Sequence, residues 1–168
     1  MASNRHLARL IAVQTLYEWA FLSERFPSEE ALDQKTKVDE ILERNFQEFQ
    51  KSLNNRDFLA ELVWGTLQNQ EKIDNIIRPA APEWPLEQIA LVDLTVLRLA
   101  IYELLFKREV PPKVAINEAV ELSKGLGGVN SSKFVNGVLG TVYRASDIYD
   151  AASDAKKNQE KTAEKEKL

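Results

Sequence analysis

The stretch from Leu86 to Lys107 is apolar on nearly every side of a helix, and it constrains the fold more than any other feature of the chain. Within it, charges interrupt the apolar run at Asp93, Arg98 and Glu103. A helix without a polar face has to be covered from several sides, so we predict that it lies in the middle of a helical bundle. The same charges make the segment a poor membrane span. They are predicted to lie at the helix rim, paired with neighbours.

Amphipathic helices are predicted before this segment. Apolar residues spaced three and four apart mark helices from Asn4 to about Leu22, from Val38 to Leu53, and from Arg56 to about Arg78 with a bend near Gly65. A rigid connector follows, formed by Pro79, Pro82 and Pro85, with Trp84 as a packing anchor.

Two more helices joined by a glycine turn are predicted over Val114 to Val142. Pro111 and Pro112 can lead into the first helix, and three glycines, Gly125, Gly127 and Gly128, can end it. Asn130 and Ser131 can cap the second helix. One face of that helix carries two cations with little side-chain bulk between them: Lys133, Gly137, Gly140 and Arg144. Another molecule could approach the backbone closely there.

The predicted architecture is therefore all-α, with two packed helical bundles and about seven helices. Residues 1–79 form the N-terminal subdomain and residues 80–149 the C-terminal subdomain. Residues 150–168 form a charged tail that contains no aromatic residue. This tail is predicted to be either a helix extension or a disordered segment.

Composition bounds the chemistry. There are no cysteines, which excludes disulfides and thiolate metal sites and is compatible with the cytoplasm. The N-terminus does not have the pattern of a signal peptide. The net charge of −4 argues against a generally basic nucleic-acid binder. The charge is uneven, however, since residues 113–144 carry four basic and two acidic side chains, so a local basic patch is compatible with the total.

Arg5 and Arg9 share one face near the start of the first helix, with His6 beside them. Guanidinium groups match phosphate oxygens, so the cluster can bind phosphate. Two arginines at a helix start are also common on a solvated polar face, and the residues alone favour that interpretation. A single histidine makes neither a metal site nor a catalytic triad. We find no phosphate loop, dinucleotide fingerprint or metal-ligand cluster, so the residues predict a binding protein rather than an enzyme and no cofactor.

Four segments resemble the NusB family of bacterial transcription antitermination factors. Lys113 to Leu122 reads KVAINEAVEL and Lys133 to Leu139 reads KFVNGVL, which resemble the C-terminal signature of the family. Val96 to Leu104 reads VLRLAIYEL and Ala12 to Trp19 reads AVQTLYEW, which resemble its central and first helices. Several long segments in the family's order are a far more specific signal than one short motif.

The resemblance implies binding of boxA-type single-stranded RNA together with the ribosomal protein NusE, within an RNA polymerase antitermination complex. The implied RNA-binding residues are Arg5, His6, Arg9, Asn130, Ser131, Ser132, Lys133 and Phe134. Phe134 can stack on a base, although its spacing also fits a buried position. Tyr17 and Asp93 are the implied contacts to the protein partner. The family usually carries a denser basic run than Arg5 to Leu10 does here, which implies weaker RNA affinity or more dependence on a partner.

Two alternatives stay open. The small number of arginines near the N-terminus and the negative net charge are also compatible with another function. The chain could be a helical protein-interaction adaptor or a homodimer with weak or no RNA binding. NusB-like domains also precede RNA methyltransferase domains, but this chain contains no cofactor loop, so that interpretation requires a separate catalytic chain.

Overall fold

The computed structural model describes residues 4–27, 31–150, 160 and 162–167. Its α-helices are α1 Asn4–Arg25, α2 Ala31–Phe49, α3 Arg56–Gln68, α4 Gln70–Ala80, α5 Leu91–Ile101, α6 Pro112–Gly127 and α7 Val129–Arg144. A 3₁₀ turn over Leu86–Gln88 precedes α5, and a π-helical turn over Tyr102–Lys107 continues it. The described ranges contain no strand, and the predicted all-α fold is confirmed.

Helix α5 is the centre of the molecule, as the sequence predicts. It contacts α1, α3, α4, α6 and α7, and eight of its eleven residues are buried. Its covering helices bury one apolar face each, including Ile11 and Leu16 of α1, Leu59 and Leu62 of α3, and Leu139 of α7. An apolar helix enclosed in this way removes most of its surface from water, and burial of apolar surface is the main favourable term in folding.

Arg98 and Glu103 form ion pairs, but Glu103 and Asp93 are buried instead of lying at the helix rim. The Arg98 guanidinium donates from Nε and Nη2 to the Asp74 carboxylate of α4, at 2.8 and 3.0 Å. Glu103, in the π-helical turn, accepts from Arg9 of α1. Both pairs join elements from the two halves of the sequence.

The predicted bend near Gly65 was wrong, because the break falls at Asn69. There the Asn69 side-chain amide donates to the Gly65 carbonyl at 2.7 Å, which ends α3, and α4 begins at the next residue. Gly65 has a different part in the fold, since it lies directly under the ring of Tyr102.

Helices α6 and α7 form a tight antiparallel hairpin. Gly128 joins them with φ of +93°, a conformation that favours glycine, and the glycine-ended helix is as predicted. Helix α7 begins at Val129, so Asn130 and Ser131 lie inside its first turn instead of capping it. Ser131 Oγ donates back to the Gly127 carbonyl at 3.2 Å.

The division at residues 79 and 80 stays a prediction. The connector does separate α4 from α5, yet α1 packs against α2 and α3 and also against α5. Of the predicted tail over 150–168, residues 151–159, 161 and 168 lie outside the described residues, and 160 and 162–166 are helical. Within the described part of the chain, each helix is too short or too polar to cross a membrane.

Candidate nucleic-acid interface

Three cations surround the ring of Phe58, a residue of α3 that lies against the start of α1. The charged groups of Arg5, Arg9 and Lys107 lie 5.1, 5.8 and 5.3 Å from the ring centroid. Such contacts with an aromatic face are attractive and leave the N–H groups free to bond elsewhere. Arg5 is the exposed member of the three. Its guanidinium is therefore held in place by a ring while remaining open to solvent.

Arg9 faces the interior and is only 3% exposed. Its Nε lies 3.0 and 2.9 Å from the two carboxylate oxygens of Glu103, and its Nη1 lies 3.7 Å from Glu118 Oε2. Burial raises the pKa of the Glu103 carboxyl, and the Arg9 charge and its hydrogen bonds oppose that rise. The guanidinium thus joins α1 to the π-helical turn and α6. In this geometry Arg9 positions the cluster and does not itself face a ligand in solvent.

His6 lies at the edge of the same cluster. Its Nδ1 is 2.6 Å from Glu118 Oε2, and both side chains are partly exposed. Glu118 therefore contacts His6 and Arg9 together and fixes the first turns of α1 on α6. We name this set Arg5, His6, Arg9, Phe58 and Lys107 the α1 patch.

The second predicted group lies at the start of α7. Asn130 and Lys133 are exposed, while the Ser132 hydroxyl is buried and donates to the Val129 carbonyl at 2.8 Å. The N-cap residue is Gly128, and the first turn carries no acidic residue. Its backbone N–H groups and the positive end of the helix dipole are therefore available to an anion. We name Asn130, Ser131, Ser132, Lys133 and Phe134 the α7 patch.

The two patches lie at opposite ends of α5 and are not one contact set. The α1 patch is anchored to Glu103, just past the end of α5, and the α7 patch adjoins Asp93 in its first turn. Asp93 and Glu103 are ten positions apart, which at 1.5 Å per residue corresponds to about 15 Å along the helix. A stacked single strand spans that distance with roughly four nucleotides.

The predicted partner residues differ sharply in exposure. Tyr17 is 40% exposed on α1, and Phe21, one turn later, is 41% exposed. Asp93 is only 8% exposed, and its Oδ1 would lie 3.3 Å from a Cβ built on Gly127. That oxygen has no hydrogen-bond partner among the described residues. Asp93 thus lies beneath the junction of α6 and α7, whereas Tyr17 faces solvent.

Three residues that belong to or contact the α1 patch were not predicted from the sequence as site residues: Phe58, Lys107 and Glu118. The Lys107 side chain is 4% exposed and makes ion pairs with Glu61 at 2.5 Å and Glu109 at 3.2 Å. Burial lowers the pKa of Lys107, but hydrogen bonding and charge from both carboxylates outweigh it, so the pKa is raised. The spacing of these residues gives no signal, because only the packing of α3, the π-helical turn and α6 beside the start of α1 brings them together.

Comparisons with known proteins place the chain in a family. The NusB family model matches residues 6–144. The transcription antitermination protein NusB of Chloroflexus aggregans is 44% identical over 145 residues, covering 84% of this chain and 88% of that protein. The corresponding protein of Roseiflexus castenholzii is 43% identical over 144 residues, covering 84% and 93%.

Solved structures agree with this assignment. T. maritima NusB has a TM-score of 0.71 and 31% identity, covering 86% of this chain and 94% of that one. A chain from a crystal structure of antitermination factors NusB and NusE in complex with double-stranded RNA has a TM-score of 0.70 and 27% identity, covering 87% and 100%. With its central helix, its α6–α7 hairpin and more than four fifths of its length matched, the chain belongs to the NusB family.

Proposed function

We propose that this chain is an RNA-binding transcription antitermination factor of the cytoplasm. It binds boxA-type single-stranded RNA together with the ribosomal protein NusE and links the nascent transcript to RNA polymerase. Family membership supports this proposal, as does the structure of a NusB with NusE and RNA. The observation on this chain that carries it is the uncapped, cationic start of α7, where Lys133 and free backbone N–H groups suit a phosphate. The function is binding, without catalysis.

The predicted site residues then divide by what they face. Arg5 and Lys133 bind phosphates, since both are exposed cations. His6, Asn130 and Ser131 have polar groups for riboses or base edges, and the half-buried Phe134 offers a ring edge. Arg9 and Ser132 act by holding their neighbours, because both are buried and bonded inside the protein.

Reversing both exposed cations is the direct test. Arg5→Glu with Lys133→Glu should abolish binding of a labelled boxA-type RNA, because each reversal replaces an attraction to a phosphate with a repulsion. For the native chain, about two neutralised phosphates give a log–log salt slope of about −1.4 on a single strand. Fluorescence anisotropy across salt concentrations measures both. Arg9→Glu is unsuitable here, since it would place a second carboxylate against the buried Glu103.

A matched control is Lys35→Glu, an exposed charge reversal on α2. It should leave the RNA affinity within about twofold, because it is outside both patches and exposed charges far from a ligand are screened. Equal affinities for the native chain, the double variant and the control would show that the two patches do not bind RNA.

The protein partner is assigned to the exposed aromatic face of α1. Tyr17→Ala should weaken binding of NusE by about tenfold, as expected for an exposed aromatic anchor at an interface. RNA binding without NusE should not change. Tyr149→Ala is the control, since Tyr149 is 36% exposed and lies beyond α7. Isothermal titration calorimetry measures the affinity of NusE for the native chain and for the two variants. If both variants lose the same affinity, Tyr17 is not a specific contact of the interface.

The alternative function, an adaptor or homodimer without RNA binding of its own, draws on the same exposed pair Tyr17 and Phe21 and on the net charge of −4. Sedimentation of the chain alone tests it. A dimer that is lost in Tyr17→Ala, together with no RNA binding in the native chain, would favour the adaptor.

A further inference from the structure

Trp84 lies half in solvent in the connector between α4 and the 3₁₀ turn. Its exposed fraction is 51%, unusual for so large an apolar side chain, so it is not only the packing anchor that the sequence predicts. The connector is built to hold it. Proline at 82 and 85 fixes the backbone on both sides, Ala81 and Leu86 are buried, and the backbone N–H of Trp84 donates to the Ala81 carbonyl at 3.1 Å.

The indole is adjacent to the α7 patch. Its centroid lies 6.5 Å from that of Phe134, with the rings at 76°, an edge-to-face contact. Phe134 follows the exposed Lys133 directly, and Asn130 lies one turn earlier on the same side of α7 as Phe134. An exposed aromatic face thus borders a cation and an uncapped helix start.

We propose that Trp84 is a stacking platform for one unpaired base of single-stranded RNA, at the nucleotide whose phosphate is held at the start of α7. This inference rests on the proposed function and extends it by a residue and a mode of recognition. Aromatic rings beside a cationic surface are the common means of binding bases that have left a helix. Phe134 is half-buried whereas Trp84 is exposed, so Trp84 has the more open ring.

The charges near the ring agree with stacking rather than phosphate binding at Trp84 itself. Glu83 and Glu87 are exposed in the connector and the 3₁₀ turn. Carboxylates next to Trp84 in the chain would repel a phosphate at the ring, whereas a neutral base can lie on it. The phosphate is therefore assigned to the start of α7 with Lys133, and the base to Trp84.

Substitution by side chains of graded stacking ability tests this. Trp84→Ala should weaken binding of a labelled boxA-type single strand about tenfold, and Trp84→Leu nearly as much, while Trp84→Phe retains most of the affinity. The salt slope should be the same in all three, since no phosphate contact is removed. Phe26→Ala, which removes an aromatic side chain that is 68% exposed at the end of α1, should leave affinity unchanged.

The base is located by replacing RNA nucleotides one at a time with abasic residues. At one position, the abasic substitution should lower the RNA affinity of the native chain about tenfold. The same substitution should not lower the affinity of Trp84→Ala further, because the two changes remove the same contact. If Trp84→Ala unfolds, the comparison of Trp84→Leu with Trp84→Phe decides the question.

Three results would overturn the inference. Native affinity in Trp84→Leu, with Lys133→Glu still defective, would remove the platform and leave the proposed RNA function standing. Weaker binding of NusE in Trp84→Leu, with unchanged RNA affinity, would assign the ring to the protein partner instead. No RNA binding by the native chain would remove the proposed function and the platform together.

Discussion

Replacing Glu103 by alanine is expected to lower the free energy of unfolding by about 3–5 kcal/mol, the largest effect of any single charge removal in this chain. The Glu103 side chain is 3% exposed and receives the Arg9 guanidinium on both carboxylate oxygens. Without it, a buried guanidinium loses its main counter-ion. Glu118 can compensate only in part, since it is partly exposed, lies 3.7 Å from Arg9 Nη1 and also contacts His6. Urea denaturation measures the difference in the free energy of unfolding.

Two controls separate loss of charge balance from loss of packing. Arg9→Met with Glu103→Leu removes both charges and keeps apolar volume, so it should be near neutral or more stable than the native chain. Asp147→Ala breaks an exposed pair, in which Arg108 Nη2 lies 3.0 Å from Asp147 Oδ1, and should cost less than about 1 kcal/mol. A loss in Glu103→Ala no larger than that in Asp147→Ala would mean that Arg9 and Glu103 are not an enclosed pair in solution.

The same pair shows where sequence reasoning about the site succeeds and where it stops. Arg5 and Arg9 are four residues apart, so both were predicted to lie on one helix face and to bind the same ligand. The structure exposes one and buries the other. What decides between them is Glu103, 94 residues away along the chain, and periodicity cannot reveal a partner at that separation. The predicted basic cluster therefore has one solvent-facing guanidinium, that of Arg5, and its part in RNA binding stays a prediction.

The fold was more predictable than the site because α5 leaves few alternatives. A segment that is apolar on all sides can be buried only if helices cover it on several sides. The spacing of apolar residues in the other segments predicts those helices. The tight turn at Gly128 follows from local chemistry in the same way. By contrast, the burial of Asp93 and the position of Trp84 beside Phe134 depend on how whole helices pack, which no local pattern encodes.

Gly65→Ala is expected to destabilise the protein by about 3 kcal/mol, at the upper end for an added methyl group in a packed interior. A Cβ at this position would overlap the ring and hydroxyl of Tyr102, which belongs to the π-helical turn after α5. The ring cannot easily withdraw, since Tyr102 is 8% exposed and its turn is fixed by the buried Glu103.

The chain offers a matched control for that substitution in Gly137→Ala. Gly137 also lies inside a helix, but a Cβ there would meet nothing within 4 Å. Alanine should stabilise α7 at that position by up to about 1 kcal/mol through its higher helix propensity. The same chemical change should thus alter the free energy of unfolding with opposite signs at the two glycines, as measured by urea denaturation.

Adding Tyr102→Leu to Gly65→Ala should recover part of the lost stability, because the shorter side chain vacates the space. Equal stabilities of the two alanine variants would mean that α3 and the π-helical turn do not pack this closely, and the cation cluster around Phe58, which depends on the same packing of α3, would need a different geometry.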